Sequence, residues 1–259
     1  MNVKYFVKIQ AAKLNYEIQI NKMVIDSGVT KEDVALTSSV GEYLKSGENQ
    51  FDVFFDWIRT ESFEIGKAKL HVTIFTTPSD AQSAECLGKP LFEYVWPTPE
   101  KKEAYPQKLT KPFKIKDEIN LRLWRDSEKI KILTPYDKRE IFAELERFRK
   151  AFADKNSAQI YDIGKFAYID VADSINESQE EYRKMIMEQA TAVLSANSVT
   201  IEGLDFEEYK FDLICDGQLV SVKSIDDCSP IFIGTEFGLI QFKPIFSKVN
   251  GKWIISRMG

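Results

Sequence analysis

The chain is poor in the residues that build metal sites and catalytic dyads. Its 259 residues include a single histidine, His71, and three cysteines, Cys86, Cys215 and Cys228. The cysteines match no zinc spacing. Buried free thiols are the main expectation, and if one disulfide forms it joins Cys215 to Cys228. No glycine-rich phosphate loop, nucleophile elbow or metal-ligand cluster is present in the sequence. We therefore expect no cofactor and no metal.

Long apolar runs are also missing. No stretch approaches the roughly 18–20 residues that a membrane-spanning helix needs, so we expect no membrane span. Residues from Val3 onward alternate like a strand, whereas a signal peptide carries a continuous apolar segment after a short basic start. This favours a cytoplasmic protein, or a periplasmic or secreted one from which a signal peptide has been removed.

Negative charge is concentrated in the second half. Residues 1–134 carry 20 Lys and Arg against 19 Asp and Glu (+1), and residues 135–259 carry 15 against 21 (−6), which sum to the net charge of −5. Nucleic-acid binding needs a basic surface, so the acidic half argues against it. An acidic surface suits a basic protein partner, and it is also a common means of staying in solution.

Short alternating strands fill the first half. The Asn21-Lys22 dipeptide offers a tight turn, a polar loop follows residue 25, and a long exposed loop is expected at 97–112. No long amphipathic helix is visible. The pattern predicts an all-β sandwich or jelly roll for residues 1–134. The predicted strands cover residues 3–10, 14–20, 23–25, 40–58, 67–76, 91–96 and 111–124.

One segment of this half resembles a known family. INKMVIDSG, followed after a loop by VGEYLKSGENQFDVFF, is similar to the galactose-binding-like jelly-roll domains found beside glycoside hydrolases. The resemblance implies that Lys45-x-Gly47-x-Asn49 is a structural turn into a long strand. Gly47 can take a positive φ, and Asn49 can bond to the turn backbone. The chain departs from the family pattern at Lys22, where glycine is usual.

A helical pattern begins after Thr134-Pro135, where we place the domain boundary. Asp137 and Glu140 have capping-box spacing, and an apolar stripe follows them. A shorter helix over 157–163 is expected to end at Gly164, before a strand at 166–171. A third helix, capped by Asn176 and Gln179, is expected to reach Ser195.

The closing stretch predicts an antiparallel sheet of about four strands over residues 207–258. Asp216-Gly217 and Asn250-Gly251 mark its hairpins, because a type I′ turn needs positive φ at both central residues. Three helices and this sheet predict an α+β domain over residues 135–259.

Two local patterns in the second half resemble the NTF2-like (cystatin-like) α+β cone. They are the helix LERFRKAFADKN at 145–156 and the terminal FSKVNGKWII at 246–255. The resemblance implies helices packed on a curved antiparallel sheet. It also implies a pocket at the wide end, which some members use for catalysis or ligand binding and others fill with side chains.

Catalysis is not expected in the second half. It contains no histidine, the commonest general base. Asp212 alternates with apolar neighbours and is expected to face away from the core, and Asp227 falls in a turn. The remaining acids and their phenolic partners are Asp170, Asp212, Asp227, Tyr161, Tyr182 and Tyr209.

Two acidic groups are the candidate partner-binding residues, together with one aromatic expected at the surface. The same acids would also suit solvated helix caps and loops, and the other tryptophans are expected in the core. The candidates are Asp173, Glu177, Glu180, Glu181, Glu202, Asp205, Glu207, Glu208 and Trp96.

Three functions fit this sequence. The first is a non-enzymatic interaction protein that offers an acidic surface to another protein, a makeup common among bacterial accessory, adaptor and toxin-neutralising (immunity) proteins. The second is a small-ligand binder or enzyme that uses the cone pocket. The third is a carbohydrate-binding accessory, which depends on the jelly-roll resemblance and on Trp96.

Overall fold

A computed structural model describes residues 3–57, 68–78, 88, 90–96, 107–196, 199–201, 203–226, 228–236 and 238–258. The chain divides into two compact units. Unit 1 comprises Met1–Asn120 with Ser174–Asn176, and unit 2 comprises Leu121–Asp173 with Glu177–Gly259. The chain passes from unit 1 to unit 2 between Asn120 and Leu121. The domain boundary that the sequence places after Thr134 stays a prediction.

Unit 1 contains two four-stranded antiparallel sheets, ordered β4-β1-β6-β7 and β3-β2-β5-β8. Their strands are β1 Val3–Ala12, β2 Leu14–Ile20, β3 Met23–Thr30, β4 Val34–Ser39, β5 Gly47–Trp57, β6 Lys69–Pro78, β7 Pro90–Trp96 and β8 Gln107–Ile115.

Local turn chemistry sets the register in unit 1. Asn21 and Lys22 take φ of 52° and 68°, which closes the β2–β3 hairpin tightly. Gly47 takes φ of 82°, and the Asn49 amide donates to the Lys45 and Gly47 carbonyls at 2.8 and 3.1 Å. Both features of the predicted turn are confirmed, because side-chain bonding of this kind is local.

The two sheets of unit 1 face each other across aromatic rings. The Phe51 ring of β5 lies 4.6 Å from that of Phe92 on β7, and the Phe55 ring lies 4.9 Å from that of Trp96. Trp96 is buried, so its expected surface position is wrong. The opposite sheet covers it, which its own neighbours in sequence cannot reveal.

Three predictions in this region are corrected. Residues 34–39, expected in a loop, form β4 at a sheet edge. The loop expected at 97–112 ends sooner, because Gln107 already begins β8; residues 97–106 lie outside the described part of the chain. Residues 122–126 form a short helix, α1 (Arg122–Asp126), and not the end of a strand.

The remaining helices of unit 2 are α2 Pro135–Ala153, α3 Ser157–Ser174 and α4 Gln179–Leu194. The capping box of α2 lies three residues earlier than predicted. Thr134 is the N-cap, and its hydroxyl accepts from the Asp137 N–H at 3.1 Å while Asp137 accepts from the Thr134 N–H at 3.1 Å. Pro135 then occupies the first helical position, where its missing N–H costs nothing.

Helix α3 is continuous, so the predicted break at Gly164 and the strand at 166–171 are wrong. Gly164 has a packing role. A Cβ at this position would lie 2.6 Å from the Tyr168 ring and 2.7 Å from the Met258 methyl. The glycine therefore admits a close neighbour inside a helix and does not end it.

The closing strands form two sheets and not one. Four strands are ordered β10-β11-β14-β15, and three are ordered β13-β12-β9. Asn250 and Gly251 take φ of 50° and 75° and join the last two strands, as predicted. The strands are β9 Val199–Ile201, β10 Tyr209–Ile214, β11 Leu219–Ser224, β12 Ile231–Thr235, β13 Gly238–Phe242, β14 Pro244–Val249 and β15 Lys252–Met258.

One hydrophobic core fills unit 2. It takes buried residues from α2, α3 and α4 and from both sheets, including Phe148 of α2, Ile233 of β12 and Phe246 of β14. The Phe148 ring meets that of Phe242 edge to face at 5.7 Å. Apolar side chains thus occupy the space between these helices and strands. Among the described residues, no helix is long and apolar enough to span a membrane.

Candidate functional site

The candidate site begins at the N-terminus of α4. Ser178 caps the helix and accepts from the Glu181 N–H at 3.4 Å, which moves the cap two residues beyond the predicted Asn176. Asn176 takes φ of 55° in the connection from α3, a conformation that asparagine tolerates. This tight connection places the acids of both helix ends in one short segment.

Four predicted acids lie in that segment. Glu177, Glu180 and Glu181 are exposed, and Asp173 is half-buried and accepts from the Gln179 amide at 3.0 Å. Negative charge at a helix N-terminus is favoured by the helix dipole, so part of their role is to stabilise α4. The charge of the Glu180 carboxylate is offset by the Arg183 guanidinium, which lies 3.7 Å away. Glu177 and Glu181 remain available to a partner. We call these four residues the α4 acidic end.

Helix α4 itself buries little. Ala190 and Leu194 are its buried residues, and Met185 is 39% exposed. A helix at a protein surface commonly buries a stripe about 100° wide. The first three turns of α4 therefore bury fewer apolar side chains in the core of unit 2 than such a helix usually does. This leaves apolar side chains beside the charged ones.

An open groove of about 610 Å³ follows one side of α4. The residues that line it recur three and four positions apart, so they form a single stripe along the helix. The lining is charged near the acidic end, and towards the C-terminus it consists of the small side chains Thr191, Ala192 and Ser195. Its lining comprises Glu180, Arg183, Lys184, Met187, Glu188, Thr191, Ala192 and Ser195.

A contact between a cation and an aromatic ring joins the first turns of α4 to α3. The Arg183 guanidinium lies 5.5 Å from the centre of the Tyr161 ring, which stacks on Tyr168 at 5.6 Å. Burial raises the pKa of the Tyr168 hydroxyl, and the neighbouring Tyr182 and Tyr161 raise it further. Tyr168 is therefore a neutral packing residue at physiological pH.

The second acidic group forms an exposed turn before β10. Asp205 accepts from the Glu207 N–H at 3.1 Å, and Asp205, Glu207 and Glu208 are all exposed. Phe206 anchors the turn, because its ring meets the Phe142 ring of α2 edge to face at 5.4 Å. Glu202, the remaining predicted acid, lies outside the described residues.

The acids considered for catalysis have structural surroundings. Asp170 is buried and accepts from the Arg122 and Leu123 N–H groups at 2.9 Å each, and from the Arg257 guanidinium at 3.1 Å. It thereby caps α1 and neutralises a buried arginine. Asp212 is exposed, as expected, and Asp227 lies outside the described residues.

His71 has an acid beside it, which the sequence did not reveal. Its Nε2 lies 2.8 Å from the Glu93 carboxylate of β7 and 3.2 Å from the Thr73 hydroxyl. The pair is formed by strand pairing between β6 and β7, which brings together residues far apart in sequence.

No disulfide joins Cys215 to Cys228. Cys228 is exposed and Cys215 is half-buried, so the expectation of buried thiols does not hold for Cys228, and Cys86 lies outside the described residues. In the part of the chain that the structure describes, no three His, Cys, Asp or Glu side chains are grouped to hold a metal ion.

Two buried carboxylates each bind several partners that the sequence does not place beside them. Asp137 joins α2 to the last hairpin, and Asp52 is a buried carboxylate on a sheet face. The capping-box spacing drew attention to Asp137, but its partners Lys248 and Trp253 lie more than a hundred residues away along the chain. Asp52 alternates like any outward-facing strand residue, so no local signal marks it.

The chain matches no family model, no curated protein and no solved structure.

Proposed function

We propose that this protein is a non-enzymatic interaction protein that binds a basic protein partner through the α4 acidic end and the groove beside it. The observation that carries the proposal is the exposure of α4, which buries few of its own side chains and offers acids, Met185 and an open groove. Methionine and arginine are enriched at protein interfaces, and both occur on this helix. Bacterial accessory, adaptor and toxin-neutralising proteins are the classes that this makeup suits.

The same proposal extends to architecture. Eight strands in two facing sheets support a jelly-roll-like β-sandwich for unit 1. In one sheet β1 lies between β4 and β6, and in the other sheet β8 is an edge strand. Helices packed over antiparallel strands around one core support an NTF2-like arrangement for unit 2. In this proposal the core is filled and partner binding takes place on the outside of unit 2.

The test is capture of the partner from source lysate by three forms of the protein. Wild type is compared with Glu177→Lys/Glu180→Lys/Glu181→Lys. The matched control is Glu32→Lys/Glu48→Lys/Glu118→Lys, which changes three exposed acids of unit 1 and shifts the net charge equally. We expect wild type and the control to retain one stoichiometric basic protein and the α4 variant to lose it.

Salt provides the second readout, because exposed charge pairs weaken as ionic strength rises. We expect a lower retained fraction at high salt for wild type and the control alike. A partner retained equally by all three forms, or lost equally by both charge variants, would remove the α4 acidic end from the interface.

A further inference from the structure

Strand β4 forms one edge of the β4-β1-β6-β7 sheet in unit 1. In the part of the chain that the structure describes, it pairs with β1 and with no other strand. An edge strand presents backbone N–H and C=O groups along its open side, and proteins usually protect such an edge with charged side chains, proline or bulges. The sequence of β4, VALTSS, contains no charge and no proline, and its pairing with β1 has no bulge.

The other edge strands of the described sheets are better protected. Strand β8 carries three lysines and a proline, and β10 and β15 each carry two charged residues. Strands β3 and β7 each contain an acid and pair through a register that shifts at a bulge. Strand β9 has only three residues, and the uncharged β13 begins at Gly238, a residue type that weakens strands. Among the described sheets, β4 is therefore the edge most open to pairing.

One hydrogen bond identifies the backbone groups on the open side of β4. The N–H of Val40, directly after the strand, donates to the Tyr5 carbonyl of β1 at 3.0 Å. Bonded and non-bonded pairs alternate along an antiparallel ladder, so the even-numbered residues of β4 bond to β1. Ala35, Thr37 and Ser39 therefore direct their N–H and C=O groups to the open side.

Apolar side chains along β4 are incompletely covered. Val34 and Leu36 are paired with Ala11 and Ile9, which are buried residues of β1, so they share the core-facing side of the sheet. Val34 is nevertheless 40% exposed and Leu36 is half-buried. A strand added beside β4 would cover both side chains and bond to the open backbone groups.

We propose that β4 pairs antiparallel with β4 of a second copy of this chain, so that two four-stranded sheets become one sheet of eight strands. A two-fold axis builds this contact from a single patch of surface. The register centred on Leu36 places Ala35 opposite Thr37 of the second copy, so that open-side groups face each other. Leu36 then lies opposite Leu36 of the second copy on the core-facing side. The contact is separate from α4 and does not depend on the proposed function.

Charge favours a second copy as the occupant of this edge. Residues 1–134, which include β4, carry a net charge of +1, whereas residues 135–259 carry −6. Two copies therefore repel each other least through the first half. In the register centred on Leu36, Asp33 lies opposite Ser39 of the second copy, and Lys31 and Glu32 lie beyond it. No like charges face each other across the pair, an arrangement that would destabilise it.

The experiment is sedimentation equilibrium of the intact protein from about 10 μM to about 1 mM, because a single strand edge is a small contact and associates weakly. The average mass should rise from 29.8 kDa towards twice that value. Ala35→Pro removes an open-side N–H and leaves the bonds to β1, so it should weaken association at least ~tenfold. The matched control is Ala35→Thr, which keeps this N–H and should associate like wild type. Circular dichroism checks that all three forms are folded.

Amide exchange of wild type, followed residue by residue by NMR at both ends of that concentration range, locates the contact without any substitution. Exchange at Ala35, Thr37 and Ser39 should slow as the concentration rises, because their N–H groups gain partners. Leu36 and Ser38 should change less, since their N–H groups already bond to β1.

Three results would overturn the proposal. The first is the mass of one chain at every concentration, which would leave β4 to a different kind of partner. The second is association that Ala35→Pro leaves as strong as in wild type. The third is slowed exchange confined to another edge, such as β13.

Discussion

Asp137 joins three parts of unit 2 through one carboxylate. It completes the cap of α2 with Thr134, and it accepts from the Lys248 ammonium of β14 at 2.9 Å and the Trp253 indole of β15 at 3.0 Å. Burial would raise its pKa, but these bonds prevail and hold the pKa well below its usual range. Folding therefore favours the ionised form of Asp137.

This arrangement predicts a pH dependence of stability. A lowered pKa in the folded state contributes stability above the unfolded value of about 3.9, and that contribution is lost as the pH falls through the folded pKa. Urea unfolding from about pH 6 to about pH 2 should show a smaller loss for Asp137→Asn than for wild type. The exposed Asp212→Asn variant is the control and should follow wild type. If the unfolding free energy of Asp137→Asn falls with pH as steeply as that of wild type, the role of Asp137 is wrong.

The close packing of Gly217 predicts that replacing it by alanine costs more stability than its positive φ alone would cause. Gly217 and Gly251 both have positive φ, 85° and 75°. A Cβ on Gly217 would lie 2.2 Å from the Ile130 carbonyl oxygen, whereas a Cβ on Gly251 would meet nothing within 4 Å. Gly251→Ala should cost about 1 kcal/mol of unfolding free energy, and Gly217→Ala should cost clearly more. Equal costs in chemical denaturation would contradict the close approach.

At the scale of elements, α4 differs from α2. Helix α2 places Ile141, Leu145 and Phe148 in the core, whereas α4 buries Ala190 and Leu194 near its C-terminal end. The last turns of α4 therefore attach it to unit 2. Its first turns contribute surface that a partner can cover.

Substitutions along α4 should reflect this division. Leu194→Ala should lower the unfolding free energy by about 3 kcal/mol, because it leaves a cavity in the core. Met185→Ala should stay within roughly 0.5 kcal/mol, since its side chain is substantially exposed. Chemical denaturation of both variants checks this, and a large loss for Met185→Ala would mean that the exposed side of α4 is needed for folding.

The sequence allowed elements to be predicted where their signals are local. Asn250-Gly251 encodes its own turn, and the apolar stripe of α2 encodes its buried face. Gly164 was misread because a helix-ending glycine and a closely packed glycine look alike without the neighbouring Tyr168 and Met258. Trp96 was misplaced for a similar reason, since Phe55 covers it from another sheet.

The candidate site was only partly predictable. Acids that follow a helix start, such as Glu180 and Glu181, can be read from capping patterns. The exposure of α4 cannot be predicted in this way, because it depends on how many of its side chains pack into the core of unit 2. The surroundings of Asp52 depend on strand register across residues far apart in sequence, so no local pattern marks them.

In the whole molecule, net negative charge lies in the second part of the chain, with −6 in residues 135–259 against +1 in residues 1–134. Unit 2 has a hydrophobic core of helices and strands and carries the exposed acids of α4 and of the turn at Asp205. We therefore expect protein binding to follow the acids of unit 2.

Hydrogen–deuterium exchange of the protein, alone and with the captured partner, would locate the binding surface. The partner should slow exchange in residues 177–195, with a smaller effect at 205–208, and leave the strands of unit 1 unchanged. Slowed exchange confined to unit 1, with α4 exchanging as in the free protein, would contradict binding through α4.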